Sequence, residues 1–282
     1  MRGINDTVGE RSVGESHSYS DYLGAFVPVS DKISYSSPFP LSAPNTMAVP
    51  PKELRYRYFD HSDELYLKSG VDEAARMREL LVECGVQQDA KILDFGCASG
   101  RILAHLCAHY PNVTGVDIDS RCVEWILAHL PRTIKAAPVT SFASLPLEDR
   151  SFNVIIARSV FTHIRDRALM TLMELHRILK PGGIALVSIS DDFTWKQYRD
   201  GPSWFDKGSY FDLIGLSPEV MQSNENIPGD YFVHGVGYYS MIFYRRSYIQ
   251  EVWGRFFDVL NITPLYPAYT PQSVVIMRKR VD

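Results

Sequence analysis

An α/β fold, with a doubly wound and mostly parallel sheet, is what this sequence predicts, and three observations predict it. Short, almost wholly apolar runs recur between residues 91 and 190, as strands covered on both faces require. Segments with amphipathic helical spacing separate them, the mark of strand–helix–strand units. The first run ends in an acid, and a glycine-flanked turn then opens straight into a helical segment: Asp94-Phe95-Gly96-Cys97-Ala98-Ser99-Gly100-Arg101.

Along the chain, residues 1–50 are rich in Ser, Pro, Gly and Tyr and show no sustained period, so they read as an irregular arm. Ser37-Pro38-Phe39-Pro40 and Pro50-Pro51 forbid helix there. Residues 1–70 together read as an arm with a lead-in helix packing over the active site; 71–282 form the main domain. The expected strands are Lys91–Phe95, Asn112–Asp117, Phe152–Ala157 and Ile184–Ser190. Helices are expected over Gly100–His109, Ser120–Leu130 and Arg165–Leu179. Leu179-Lys180-Pro181-Gly182-Gly183 stops the third of these with breaker residues. Regularity lapses over 191–240, an aromatic insertion after the fifth strand that reads as a lid. A helix at Arg246–Trp253 and an antiparallel pair, Phe256–Ile262 with Ser273–Arg278, complete the chain.

Composition narrows the functions. There are 29 Lys+Arg against 33 Asp+Glu, a net charge of −4, and no basic run. An electrostatic grip on nucleic acid or anionic lipid is therefore disfavoured. No apolar run approaches the ~20 residues of a membrane span, and the first residues lack the apolar core of a signal peptide. The four cysteines form no C-x-x-C pair, which suits reduced thiols and a cytoplasmic location. His105 and His109 stand four apart on one expected helix, but no third ligand accompanies them, so no metal site is expected. Aromatic residues make up 12%, with 16 Tyr, and they concentrate in the arm and the insertion, outside the central sheet.

The turn after the first strand carries the chemistry. Gly96 and Gly100 let the backbone approach a ligand closely, and a helix N-terminus beyond offers free N–H groups. A second acid, Asp117, ends the second strand, where it can hold the two hydroxyls of a ribose. A dinucleotide site would want G-x-G-x-x-G, whereas this turn has no third glycine and has an acid before it. An acid there repels pyrophosphate and suits a cationic amino group, as in S-adenosylmethionine; tight packing alone is the other reading.

On these residues the chain resembles a class I S-adenosylmethionine-dependent methyltransferase of the small-molecule, natural-product type. Asp94–Arg101 matches that family's first motif and Val113-Thr114-Gly115-Val116-Asp117-Ile118-Asp119 its second. The stretch 141–154 matches the approach to the fourth strand, and Leu179–Gly183 the turn before the fifth. The resemblance implies a seven-stranded sheet ordered 3-2-1-4-5-7-6, with S-adenosyl-L-methionine lying across strands 1, 2 and 4. It implies cofactor contacts from Asp94, Gly96, Cys97, Gly100, Asp117, Ile118, Phe142, Ala157 and Arg158. Ser141 stands where an Asp often contacts the adenine amino group. Arg55 or Arg57 could serve the cofactor's carboxylate, although ordinary surface charge is the safer reading of both.

The nucleic-acid members' Asn/Asp-Pro-Pro-Tyr/Phe sequence is absent after the fourth strand, where Ala157-Arg158-Ser159-Val160-Phe161-Thr162-His163 stands instead. His163 is the leading candidate base, beside a structural reading as a turn histidine, and His234 is the second. Tyr19, Tyr22, Trp195, Tyr238 and Tyr239 are expected to wall an aromatic pocket, since ring faces attract cations and stack planar substrates. The expected acceptor is a planar phenol or indole. Sugars and lipid head groups stay open, as do a nucleotide-dependent oxidoreductase and a non-catalytic partner protein. The sequence leaves the oligomeric state open.

Overall fold

A computed structural model describes residues 48–56, 62–140, 144–164, 167–200, 223–234, 241–265 and 271–281. Its strands are β1 (Lys91–Phe95), β2 (Asn112–Asp117), β3 (Lys135–Pro138), β4 (Phe152–Ala157), β5 (Leu179–Asp191), β6 (Tyr231–His234), β7 (Met241–Tyr244), β8 (Phe257–Pro264) and β9 (Ser273–Lys279). Its helices are α1 (Asp63–Glu83), α2 (Leu103–Leu106), α3 (Ser120–His129), α4 (Ala168–Ile178), α5 (Asp192–Asp200) and α6 (Arg246–Val252).

β3, β2, β1, β4 and β5 lie side by side in parallel. β9 then runs antiparallel beside β5, and β8 antiparallel beside β9. That is the expected order 3-2-1-4-5-7-6, with β8 and β9 as its sixth and seventh strands. The hairpin β6–β7 is an addition, with β7 pairing to Ser190 and Asp191 at the end of β5. Among the described residues, nine strands therefore stand where seven were expected. β3 and the hairpin escape a sequence reading because each has only four residues, and β3 ends in Pro138.

Alternating side chains on the central strands feed two cores, one per face. Ile92, Val154 and Ile156 join α1, α2 and α3 through Met77, Leu81, Leu103 and Ile126. Leu93, Ile155 and Ala157 join α4 and α6 through Leu172, Leu175 and Ile249. Strands sandwiched this way must be apolar on both faces, which explains their continuous hydrophobic runs.

Several expected boundaries move. The helix expected over Gly100–His109 is regular only at Leu103–Leu106, so His105 and His109 do not share a regular helix. Position 70 falls inside α1. Part of the expected lid is regular: α5 begins immediately after β5, where Asp191 Oδ1 accepts the Thr194 N–H at 3.2 Å. No helix among the described residues is long and apolar enough to cross a membrane.

Candidate active site

The site is assembled at the carboxyl ends of β1, β2 and β4. Asp94, in β1, sits between Gly115 of β2 and Ile156 of β4. It is buried, and its Oδ1 has no hydrogen-bond partner among the described residues. A buried lone carboxylate oxygen demands a donor. Burial, reinforced by the nearby Asp117, pushes the Asp94 carboxyl up to about 7.

The chain turns sharply after Asp94. Gly96 has φ +78° and Gly100 φ +81°, and Ala98 between them is also left-handed at +46°. A Cβ on Gly96 would lie 2.3 Å from Val160 Cγ2, so only glycine lets the turn pass beneath the segment after β4. The Gly96 and Cys97 N–H groups both bond the Val116 carbonyl, at 2.8 and 3.1 Å, pinning the turn to β2. The Cys97 side chain is packed in the α1–α3 core, and burial pushes its thiol well above the ordinary range.

Asp117 ends β2. One carboxylate oxygen accepts the Ala98 N–H at 2.7 Å and the other the Asp119 N–H at 2.9 Å. The Ile118 N–H also favours the carboxylate, and of its roughly four acceptor sites at least one stays open. Burial pushes its pKa up to about 6, against those backbone donors. Ile118, half-buried, follows it.

The lead-in closes over this turn. Ser99 Oγ donates to the Leu54 carbonyl at 3.0 Å and shares a hydrogen bond with Tyr66 Oη at 2.8 Å. The Tyr56 hydroxyl donates to Asp119 Oδ2 at 2.8 Å. Arg55 is not surface charge: it is buried, bonds the Pro50 carbonyl at 2.8 Å and Asp63 at 2.6 Å, and lies over the Tyr66 ring. Arg57 lies outside the described residues.

Ala157, at the end of β4, is fully buried in the α4–α6 core. Arg158 is buried too, with its guanidinium on Glu73. His163 is half-buried, and its N–H closes a turn on the Val160 carbonyl at 2.9 Å. His234 ends β6 opposite Met241. The Ile242 N–H bonds the Thr162 carbonyl at 2.9 Å, so β7 joins the segments that carry the two histidines. Trp195 is 1% exposed, with its Nε1–H on the Asn224 carbonyl and its ring edge-on to Phe232 and Phe243. Tyr19, Tyr22, Phe142, Tyr238 and Tyr239 lie outside the described residues.

Sequence reasoning missed Glu73, Tyr66, Ser99 and the Leu54 carbonyl as parts of the wall. The signal for Glu73 was present: Tyr66, Ser69, Gly70, Glu73, Met77, Leu80 and Leu81 form one buried stripe at helical spacing.

A donor-seeking buried acid, a glycine turn that admits no Cβ and a second acid on the neighbouring strand together fit a cationic, ribose-bearing ligand. Comparison with known proteins decides the family. The profile of a methyltransferase-domain family matches residues 69–221, more than half of the chain.

The chain belongs to this family of methyltransferases.

The expected class I architecture agrees with its sheet order. The methyltransferase is 33% identical over 112 residues to a probable S-adenosylmethionine-dependent methyltransferase of Mycolicibacterium smegmatis, covering 39% of this chain and 42% of that one. It is 28% identical over 149 residues to the trans-aconitate 2-methyltransferase of an Azoarcus species, covering 49% and 53%. It thus spans about half the length of these relatives, or less. Among solved structures, a Thermotoga maritima S-adenosylmethionine-dependent methyltransferase, described as a possible histamine N-methyltransferase, gives a TM-score of 0.51. Its identity is 18%, with 81% of this chain and 99% of that one covered. A Clostridium acetobutylicum S-adenosylmethionine-dependent methyltransferase gives 0.52 at 15% identity, covering 80% and 99%. At such identities the likeness concerns the fold.

Proposed function

We propose that this methyltransferase moves a methyl group from S-adenosyl-L-methionine to a small, planar aromatic acceptor, a phenol or an indole, leaving S-adenosyl-L-homocysteine. The observation that carries the cofactor assignment is Asp94 Oδ1, buried and without a donor among the described residues. On this reading Asp94 holds the cofactor's ammonium group, and the Gly96–Gly100 turn lies along its methionyl part. Asp117 holds the ribose with its remaining acceptor capacity, while Ile118 and Phe142 flank the adenine. When bound, the cofactor supplies a methyl carbon already activated by its sulfonium leaving group.

The chain's own work is alignment and exclusion of water. A phenol must also lose its proton, and a base within reach promotes that. His163 and His234 are the candidates, because the bond from Ile242 to Thr162 draws their segments together beyond β4. The similarity to the trans-aconitate enzyme favours a second reading, a small organic acid as acceptor. A carboxylate is already ionised near neutral pH and requires no base.

The test is turnover of methyl-labelled cofactor against phenols, indoles and small organic acids, using His163→Gln and His234→Gln. With a phenol, one of the two variants loses about a hundredfold or more in kcat at pH 7. With an acid as the true acceptor, both retain it. Deleting residues 1–40 should abolish turnover and leave cofactor binding intact; unchanged turnover rejects a role for the arm at the site.

A further inference from the structure

The cofactor wall contains one buried carboxylate with two guanidiniums on it. Glu73, in the middle of α1, is fully buried. Its Oε2 accepts from Arg101 Nη2 at 3.0 Å and from Arg158 Nε at 2.9 Å, and its Oε1 from Arg158 Nη2 at 3.2 Å. Arg101 closes the turn that begins at Asp94, and it also donates to Ser69 Oγ of α1 at 3.0 Å. Arg158 opens the segment after β4 and reaches Ser188 of β5 and Gln272, next to β9. Beside it Ser159 is left-handed at φ +56°, its N–H held by Ser188 Oγ at 2.7 Å.

Burial alone would raise the Glu73 carboxyl; Arg158 and Arg101 overcome it and hold the group below its usual range. The cluster remains anionic at one point and cationic at two, a surplus of one positive charge. A buried ion triad of this kind contributes little net stability compared with a packed apolar trio, so stability alone does not account for it. Its position supplies a role. It joins the helix over the turn, the turn itself and the segment where donor and acceptor would meet.

We propose that Glu73 is the positioning residue of the cofactor cradle: by fixing Arg101 and Arg158 on one carboxylate, it locks α1, the turn after β1 and the segment after β4 into a single wall. Arg101 then stands where its charge assists Asp94. The charged groups that act on Asp94 are Asp117 from β2, Arg101 from the turn and Glu73 from α1; Arg101 favours its ionised form, and the other two oppose it. Removing Glu73 loosens the wall and relieves one source of repulsion on Asp94.

The proposal rests on the cofactor reading, and one experiment separates the two. Binding of S-adenosyl-L-homocysteine is measured by calorimetry from pH 5.5 to 8 for the unaltered protein and for Glu73→Gln, with melting temperatures alongside. Affinity for the ammonium-bearing ligand should decline in the unaltered protein as pH falls and Asp94 is protonated. In Glu73→Gln, affinity at pH 8 should fall at least tenfold, and the pH at which it declines should move lower. A midpoint that stays or rises, or an affinity within twofold at pH 8, overturns the proposal and leaves Glu73 a role in folding alone. Should Glu73→Gln fail to fold, Glu73→Gln with Arg158→Gln keeps the cluster's net charge and is judged by the midpoint alone, which should again move lower, because Arg158 is itself an expected cofactor contact. If the unaltered protein does not bind the ligand, the cofactor reading and the proposal fall together.

Discussion

Asp94 sits where burial and a second carboxylate both oppose its charge, and among the described residues its Oδ1 has no donor. Its carboxyl is raised above the unfolded value, so its contribution to stability is complete below about pH 4 and is lost as pH rises through about 7. Asp117 acts in the same direction, with its window ending near 6. These two groups together contribute a loss of stability between pH 4 and 7, which the lowered pKa of half-buried His105 opposes, and Asp94→Asn should remove the Asp94 part of that slope in urea unfolding. The same variant should weaken S-adenosyl-L-homocysteine binding about tenfold to hundredfold, the scale of one charge-assisted hydrogen bond. At Gly96 the backbone decides: φ +78° costs an L-residue about 1–2 kcal/mol, and the approach of Val160 adds to it. Gly96→Ala should lose at least that much stability, measured by the same unfolding assay.

At the scale of elements, α1 shows why propensity misleads. Gly70 lies mid-helix, where Ala would ordinarily gain about 1 kcal/mol. A Cβ there would stand 2.7 Å from the Arg101 carbonyl and 3.0 Å from Arg101 Cγ. Overpacking of this kind costs about 1–3 kcal/mol, and backbone cannot step aside as a flexible side chain can. Gly70→Ala should thus be destabilising, and a gain in stability would show that α1 lies further from the turn. The end of β5 offers a matching case. Asp191 is fully buried and receives Arg246 Nε at 2.6 Å, tying α6 to the strand that leads into α5. Arg246→Ala should cost about 3 kcal/mol, because it strands a buried anion; a change below 0.5 kcal/mol would mean that the Thr194 N–H and hydroxyl suffice for Asp191.

For the whole molecule, two cores grip one sheet, and the proposed ligand site lies along its carboxyl edge. A ligand that binds only the folded state stabilises by mass action, by about 2.7 kcal/mol at a hundred times its Kd. S-Adenosyl-L-homocysteine should accordingly raise the melting temperature, and by more at pH 8 than at pH 6, where Asp94 is protonated in the free protein. An equal rise at both would detach Asp94 from the ligand. The aromatic excess also finds part of its explanation at this scale. Trp195, Tyr198 and Phe243 pack edge to face, as do Phe161 and Tyr244 against Trp253. These rings form the interior that fastens α5, β7 and α6 to the sheet, instead of presenting open faces to a substrate.

The sequence by itself determined the parallel sheet, its order through the resemblance, and the acids and glycines of the first turn. Each of these is local. Continuous apolar runs follow from burial on both faces, and a left-handed turn admits glycine for reasons contained in a few residues. Only the tertiary structure decided that Arg55 is buried, that Trp195 serves a core, that Cys97 faces inward and that the hairpin β6–β7 extends the seven expected strands to nine among the described residues. It alone brought Glu73 to Arg158, 85 positions apart. Such pairings depend on how helices settle on the sheet, and the free energy of a buried charge depends on neighbours that no sequence window contains.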